Sequence, residues 1–280
     1  MTSPPGGAVR LVGAGMRRLL LVASGLVLVA GIQLFILTES TNRHFAWTIR
    51  PALTAAFLGA GYWASVLLEL LAARERSWAN ARVAVPAVLV FTTLTLVATI
   101  IHRDRFHFHS SSFQTRAATW AWIVIYASVP PAMLLLFARQ VRLPGRDPPR
   151  RAPLETWARA IFALQAVSFV ALGIALFAAP DATKGIWPWA LTPLTARAVA
   201  AWLIGIGVAA AHVIVENDWR RARVGSISYV ALGVLHLIAL ARYSDTLMWN
   251  EPESWLYVVA LVSVLGIGLY GILAARRTAN

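Results

Sequence analysis

The chain has 280 residues, 59% of them hydrophobic and 13% charged, a balance that excludes an ordinary soluble domain and fits a protein built into a bilayer. Its formal net charge of +13 is carried mostly by residues flanking apolar runs, where a membrane places them, so no nucleic-acid partner is expected. Cysteine is absent, which removes disulfides, thiolate metal ligands and redox thiols.

Residues 1–16, opening MTSPPGGA, read as a disordered tail. Arg17 and Arg18 then precede an apolar run over 19–38 that is too long for a signal-peptide core and has no small-residue cleavage site, so it reads as an uncleaved first helix. Hydrocarbon about 30 Å thick needs about 20 apolar residues per helix. Seven further segments meet that length: 51–72, 83–101, 117–138, 160–179, 198–215, 224–241 and 254–275. All 25 Lys and Arg fall outside these windows, and Glu69 is the only acid inside one. With the N-terminus in the cytoplasm, 17 basic residues lie inside and 8 outside, so the positive-inside rule puts both termini in the cytoplasm. Every basic residue except Lys184 is arginine, the coding bias of a GC-rich genome, and the expected location is the cytoplasmic membrane of a bacterium.

The second half of the chain repeats the first. At an offset of 142, Arg17, Gly31, Leu34, Phe35, Thr41, Trp47 and Pro51 meet Arg159, Gly173, Leu176, Phe177, Thr183, Trp189 and Pro193. At 141, Glu75, Trp78, Arg82, Val83, Leu94 and Asp104 meet Glu216, Trp219, Arg223, Val224, Leu235 and Asp245. The fold expected is an all-α integral membrane protein of eight helices in two parallel four-helix repeats, 17–138 and 159–280, joined by a Pro/Arg-rich cytoplasmic linker at 139–158. An even number of crossings gives both units one orientation, with their pseudo-twofold axis along the membrane normal. The four matched tryptophans read as interface anchors, and Arg82 and Arg223 as side chains that snorkel to headgroups. Pro51 and Pro193 read as helix openers, with Thr192 a cap for the second. Gly59, Gly61, Gly205 and Gly207 read as points of close helix approach.

Among candidate site residues, the acids Glu39, Asp104, Asp181 and Asp245 all fall at outer helix ends, where they would ring an extracytoplasmic vestibule or pair with nearby arginines. The stretch HRDRFHFH over 102–109 places His107 and His109 on one side of an extended segment. With His102, or with Asp104, His44 or Glu39, they could chelate a divalent metal such as zinc, the one cofactor at which the sequence hints. A solvated loop is the plainer reading. Within the windows, Glu69 and His212 lie near the inner face, and His236 alone is deep, matched by Thr95 of the third helix. Pro130 and Pro131 are expected to break or kink the fourth helix near its middle, a pointer to a binding site in transporters. No nucleotide, protease or hydrolase signature is present. Three functions stay open: a small-solute or ion transporter or channel with a site between the repeats near the outer face, a non-catalytic subunit or lipid-interacting scaffold of a membrane complex, and a membrane enzyme using the outward His/Asp/Arg cluster. The lipid bilayer is the expected partner, with other membrane proteins beside it.

Overall fold

The computed structural model describes residues 8–183 and 185–277. Eight helices are long and apolar enough to cross a membrane. They are α1 (Ala14–Gly31, continued by a π-helical turn at Ile32–Ile36), α2 (Ala52–Arg74), α3 (Ala84–Ile101), α4 (Phe113–Val141), α5 (Thr156–Ala178), α6 (Pro193–Glu216), α7 (Trp219–Arg242) and α8 (Pro252–Arg277). Two short helices, Thr41–His44 and Trp78–Ala81, lie between them, and no strand occurs among the described residues. The eight spans make this an all-helical, polytopic membrane protein. Several helices extend past the apolar runs because polar residues cap them. Thr192 and Thr195 form a capping box that opens α6 one residue before Pro193. Asp218 accepts from the N–H groups of Arg220 and Arg221 to open α7, directly after Asn217 closes α6 in the left-handed region.

Burial separates the helices into a core and a periphery. In α2 67% of the apolar window is buried, and in α3, α6 and α7 half, against 22–39% in α1, α4, α5 and α8. Helix α2 packs on α7 and α3 on α6, while α1 flanks α2, α5 flanks α6 and α8 flanks α7. Lipid-facing apolar positions therefore concentrate on the four peripheral helices, as an absence of water predicts. Two glycines set close approaches: a Cβ at Gly59 would stand 2.5 Å from the Phe35 nitrogen in the π-helical turn of the first span, and one at Gly61 would stand 2.9 Å from the Trp202 ring.

The tail expected to be disordered lies partly outside the described residues. Its described part is pinned: Arg10 N–H donates to the Arg146 carbonyl at 3.0 Å, Arg146 N–H to the Ala8 carbonyl at 2.9 Å, and α1 begins at Ala14. The Pro/Arg-rich connection is pinned as well, with the Arg151 and Ala152 N–H groups donating to Asp218. The tryptophan expectation is corrected. Trp47, Trp78, Trp189 and Trp219 are all buried inside the bundle, where their area counts more in packing than at an interface. Trp120, Trp157, Trp249 and Trp255 are the exposed ones.

Candidate functional site: a central cavity with a lone carboxyl

A cavity of about 100 Å³ lies at the centre of the bundle. Its walls come from α1, α2, α3, α4, α5, α6 and α7, and they are almost wholly apolar. One ionisable carboxyl lines it. Glu69, on the α2 face that meets the other core helices, is 2% exposed, and its Oε2 has no hydrogen-bond partner. Two of the wall hydroxyls are engaged elsewhere, Thr92 donating to the Val88 carbonyl at 2.8 Å and Ser228 to the Ala64 carbonyl at 2.9 Å, and Ser65, one turn before Glu69 on α2, and Ser226 also line the wall. Leaving a buried polar group without a partner costs about 1–3 kcal/mol, more for a charged one, so an unpaired carboxyl here stands out against its surroundings.

Toward the end of the bundle away from the chain termini, the cavity is closed by aromatic rings. Tyr62 lies two helical turns from Glu69 on α2, and its hydroxyl meets that of Tyr126 at 2.6 Å. Phe91 and Trp202 stack with centroids 4.1 Å apart, and Tyr62 meets Trp202 edge-on at 5.2 Å. Gly61 leaves the space the Trp202 ring fills.

At the terminus-bearing end the chain closes instead with charge. Arg82 grips Glu216 with two nitrogens, one contact measuring 2.7 Å, and reaches Asp147 of the connection at 2.6 Å. Arg221 adds a 2.9 Å contact to Glu216 and donates to the Pro148 carbonyl. His212 stands 3.2 Å from Glu216, outside hydrogen-bonding geometry. Beside this lattice, Glu155 accepts from Trp219 Nε1 at 2.9 Å and from Tyr270 at 2.7 Å. Burial alone would raise the Glu155 carboxyl, but those two hydrogen bonds, with a backbone hydrogen bond and the charge of Arg277, together hold it below the usual range. The snorkelling expected of Arg82 is thus replaced by pairing, while Arg223 is half exposed and 3.9 Å from Glu75.

No known family model matches this chain, and no curated protein or solved structure is similar to it. The assignment of a site rests on the chain's own geometry.

The residues singled out from sequence are distributed as follows. Glu39, Asp104, Asp181 and Asp245 are exposed, Asp104 pairs with Arg105 at 3.1 Å, and none of the four lines the cavity. His236 and Thr95 are buried but lie outside the cavity wall. His236 bonds the Leu232 carbonyl through Nδ1 at 2.8 Å and sets its ring edge-on to Phe57 of α2 at 4.6 Å, whereas the Thr95 hydroxyl has no partner. Pro130 and Pro131 do not break α4, which runs on through them; the neighbouring Tyr126 and Val129 line the cavity. The zinc cluster imagined from His102, His107 and His109 does not form, and no three His, Asp or Glu side chains are grouped to hold a metal among the described residues. His107 bonds Thr48 and the Phe45 carbonyl, both at 3.1 Å, His109 is exposed, and His102 accepts from Arg197 at 2.7 Å. Burial and the Arg197 guanidinium hold the His102 ring below its ordinary pKa. These bonds fasten the 102–109 loop to the 45–48 segment and to α6. Sequence reasoning had seen Glu69 as the only acid within an apolar run and set it aside for its depth; it had no signal for the Tyr62–Tyr126 pair or the Arg82–Glu216 lattice.

Proposed function

We propose that this chain is a membrane carrier for a small, predominantly apolar solute, held in the central cavity between two four-helix units. The observation that carries the reading is an intramembrane cavity walled by both halves of the chain and containing one unpartnered carboxyl, Glu69. Ligand sites are mostly apolar hollows with a few well-placed polar groups, and carriers set them between repeated units.

Recurring hydrogen bonds support the two units, 17–138 and 159–280. Trp78 N–H donates to the Arg10 carbonyl at 2.9 Å, and its counterpart Trp219 N–H to Ala152 at 2.7 Å. His107 N–H donates to Ala46 at 3.0 Å, and Met248 N–H to Pro188 at 3.3 Å. A 3₁₀ turn follows α3 at Arg103–Arg105 and follows α7 at Ser244–Thr246. Across the units, Arg82 meets Glu216 while Arg223 meets Glu75, the reciprocal exchange expected of a twofold interface. In this reading the axis runs along the membrane normal and passes the cavity, and the arginine distribution supports both termini in the cytoplasm of a bacterial cell.

The scaffold reading draws on one observation, the nearly complete lack of polar lining. Accessibility separates the two, because a carrier exposes its site alternately to each side. Ala209 lines the cavity, and the chain has no cysteine to remove. In sealed vesicles, a charged, membrane-impermeant thiol reagent should modify the Ala209→Cys variant from either side. Protection from both sides would favour the scaffold. A Ser111→Cys variant checks orientation and should be labelled from outside intact cells.

A further inference from the structure

Resting on the carrier reading, we propose that the solute is a small lipophilic cation, a protonated amine on a short apolar body, and that Glu69 is its counter-ion. The geometry that points there is the lone carboxyl facing an aromatic-walled hollow with no basic side chain in its lining.

The comparison within the molecule is informative. Glu216 is gripped by Arg82 and Arg221, and Glu155 accepts from Trp219 and Tyr270. Both are carboxyls engaged by the protein, Glu216 in the buried state in which an acid ordinarily finds partners and Glu155 at an exposed position. Glu69 is more deeply enclosed than Glu155, yet its Oε2 has no partner. The titratable groups that share the cavity wall are Tyr126 and Tyr229, and both hydroxyls already have partners, Tyr62 and the Ile206 carbonyl. Val83 and Val213 line the end toward the ionic lattice, whereas Arg82 and Glu216 do not reach the cavity. No side chain of the wall, Ser65 and Ser226 included, bonds Glu69 Oε2, which is free to take a partner from outside the chain, and that partner must donate.

The wall favours a positively charged donor over a neutral one. Phe91, Tyr126, Phe162, Trp202 and Tyr229 contribute rings, whose faces attract an ammonium group, and the effect grows where water is excluded. A hydrogen bond between ammonium and carboxylate is also about twice as strong as a neutral one. Size limits the body. A dry cavity of about 150 Å³ holds one benzene, so the roughly 100 Å³ here fits about four or five non-hydrogen atoms. A short alkylamine fills that volume.

The test compares n-propylammonium with propan-1-ol, which has the same shape, on the full chain in nanodiscs of phosphatidylcholine, a lipid with no primary amine. Dissociation constants come from saturation-transfer NMR. The wild type should bind the amine at least about tenfold more tightly than the alcohol, a difference of about 1.4 kcal/mol. Glu69→Gln should lose that preference while binding the alcohol as before, and Ala209→Phe, which fills the hollow, should lose both ligands. A wild type that prefers the alcohol or shows no preference overturns the amine proposal and leaves the cavity site standing, provided Ala209→Phe abolishes alcohol binding. Unchanged amine binding by Glu69→Gln does the same. Binding of neither ligand overturns the site itself, and the amine with it. Should Glu69→Gln fail to fold, the wild-type comparison still decides.

Discussion

At the terminus-bearing end of the bundle, Arg82 of one half reaches Glu216 of the other, with Asp147 and Arg221 completing a lattice of charges. At the opposite end the corresponding closure is made of rings: Phe45, Trp47, Phe106 and Trp122 in the first half, and Trp187, Trp189 and Tyr257 packed on Phe57 in the second. The two closures respond to water differently. An ion pair that opens recovers the hydration of both charges, which offsets much of its lost attraction, whereas separated aromatic faces recover nothing. Under the carrier reading proposed above, the ionic end is the one that opens more readily. The same contrast fixes what mutations should do.

The largest effect is expected where charge is most enclosed. Glu216→Gln leaves Arg82 and Arg221 facing a neutral amide in a site where the Glu216 and Arg221 side chains are 3% and 8% exposed. Unfolding in detergent should show a loss of about 3–5 kcal/mol, the cost of breaking a buried pair from one side. A loss below about 1 kcal/mol would place the lattice with ordinary surface pairs and erase the contrast between the ends. Next comes the aromatic end. Trp189 Nε1 donates to Thr54 at 2.8 Å, whereas Trp47 Nε1 has no partner. Trp189→Phe should therefore cost about 1 kcal/mol more than Trp47→Phe, the net worth of one hydrogen bond. Equal losses would show that packing alone holds this end. The reciprocal ionic contact is weaker. Arg223 is 52% exposed and 3.9 Å from Glu75, so Glu75→Gln should cost less than about 1 kcal/mol, and the ratio to Glu216→Gln measures how unequal the two contacts are.

The smallest effect is a pH dependence at His102. Its folded pKa is lowered, chiefly by burial and then by Arg197, so the neutral ring's bond to Arg197 is fully present above the unfolded pKa of about 6.5. It is lost as pH falls through the folded value. The unfolding midpoint of the wild type should drop on acidification below pH 6.5, and His102→Gln should show a smaller drop over the same range. Identical profiles would remove His102 from the account.

The eight spans were legible because apolar runs of bilayer length have no other use, and their ends shifted only where caps such as Thr192 and Asp218 continue a helix into polar sequence. The tryptophans were misread because an indole suits an interface and a core equally, and sequence carries no signal of which neighbours enclose it. Glu69 was visible as the one acid within the spans. Its enclosure was not legible, because distance along α2 says nothing of what covers that end of the helix. The lattice itself was out of reach: Arg82 and Glu216 are 134 residues apart, and the third partner, Asp147, belongs to a segment with no periodicity to place it. Pro130 and Pro131 drew attention to the middle of α4 for a break that is absent, yet the cavity wall begins one residue away at Val129.

Spin-label distances across the two halves test the central claim most directly. Labels at Arg74 and Val215 report the ionic end, and labels at Asp104 and Asp245 report the aromatic end; all four positions are exposed and the chain has no cysteine of its own. Two units that alternate access around a central site should give two distance populations at the ionic end, with Glu216→Gln enriching the longer one there and the shorter one at the aromatic end. A single distance at each end, unchanged by Glu216→Gln, would contradict the carrier.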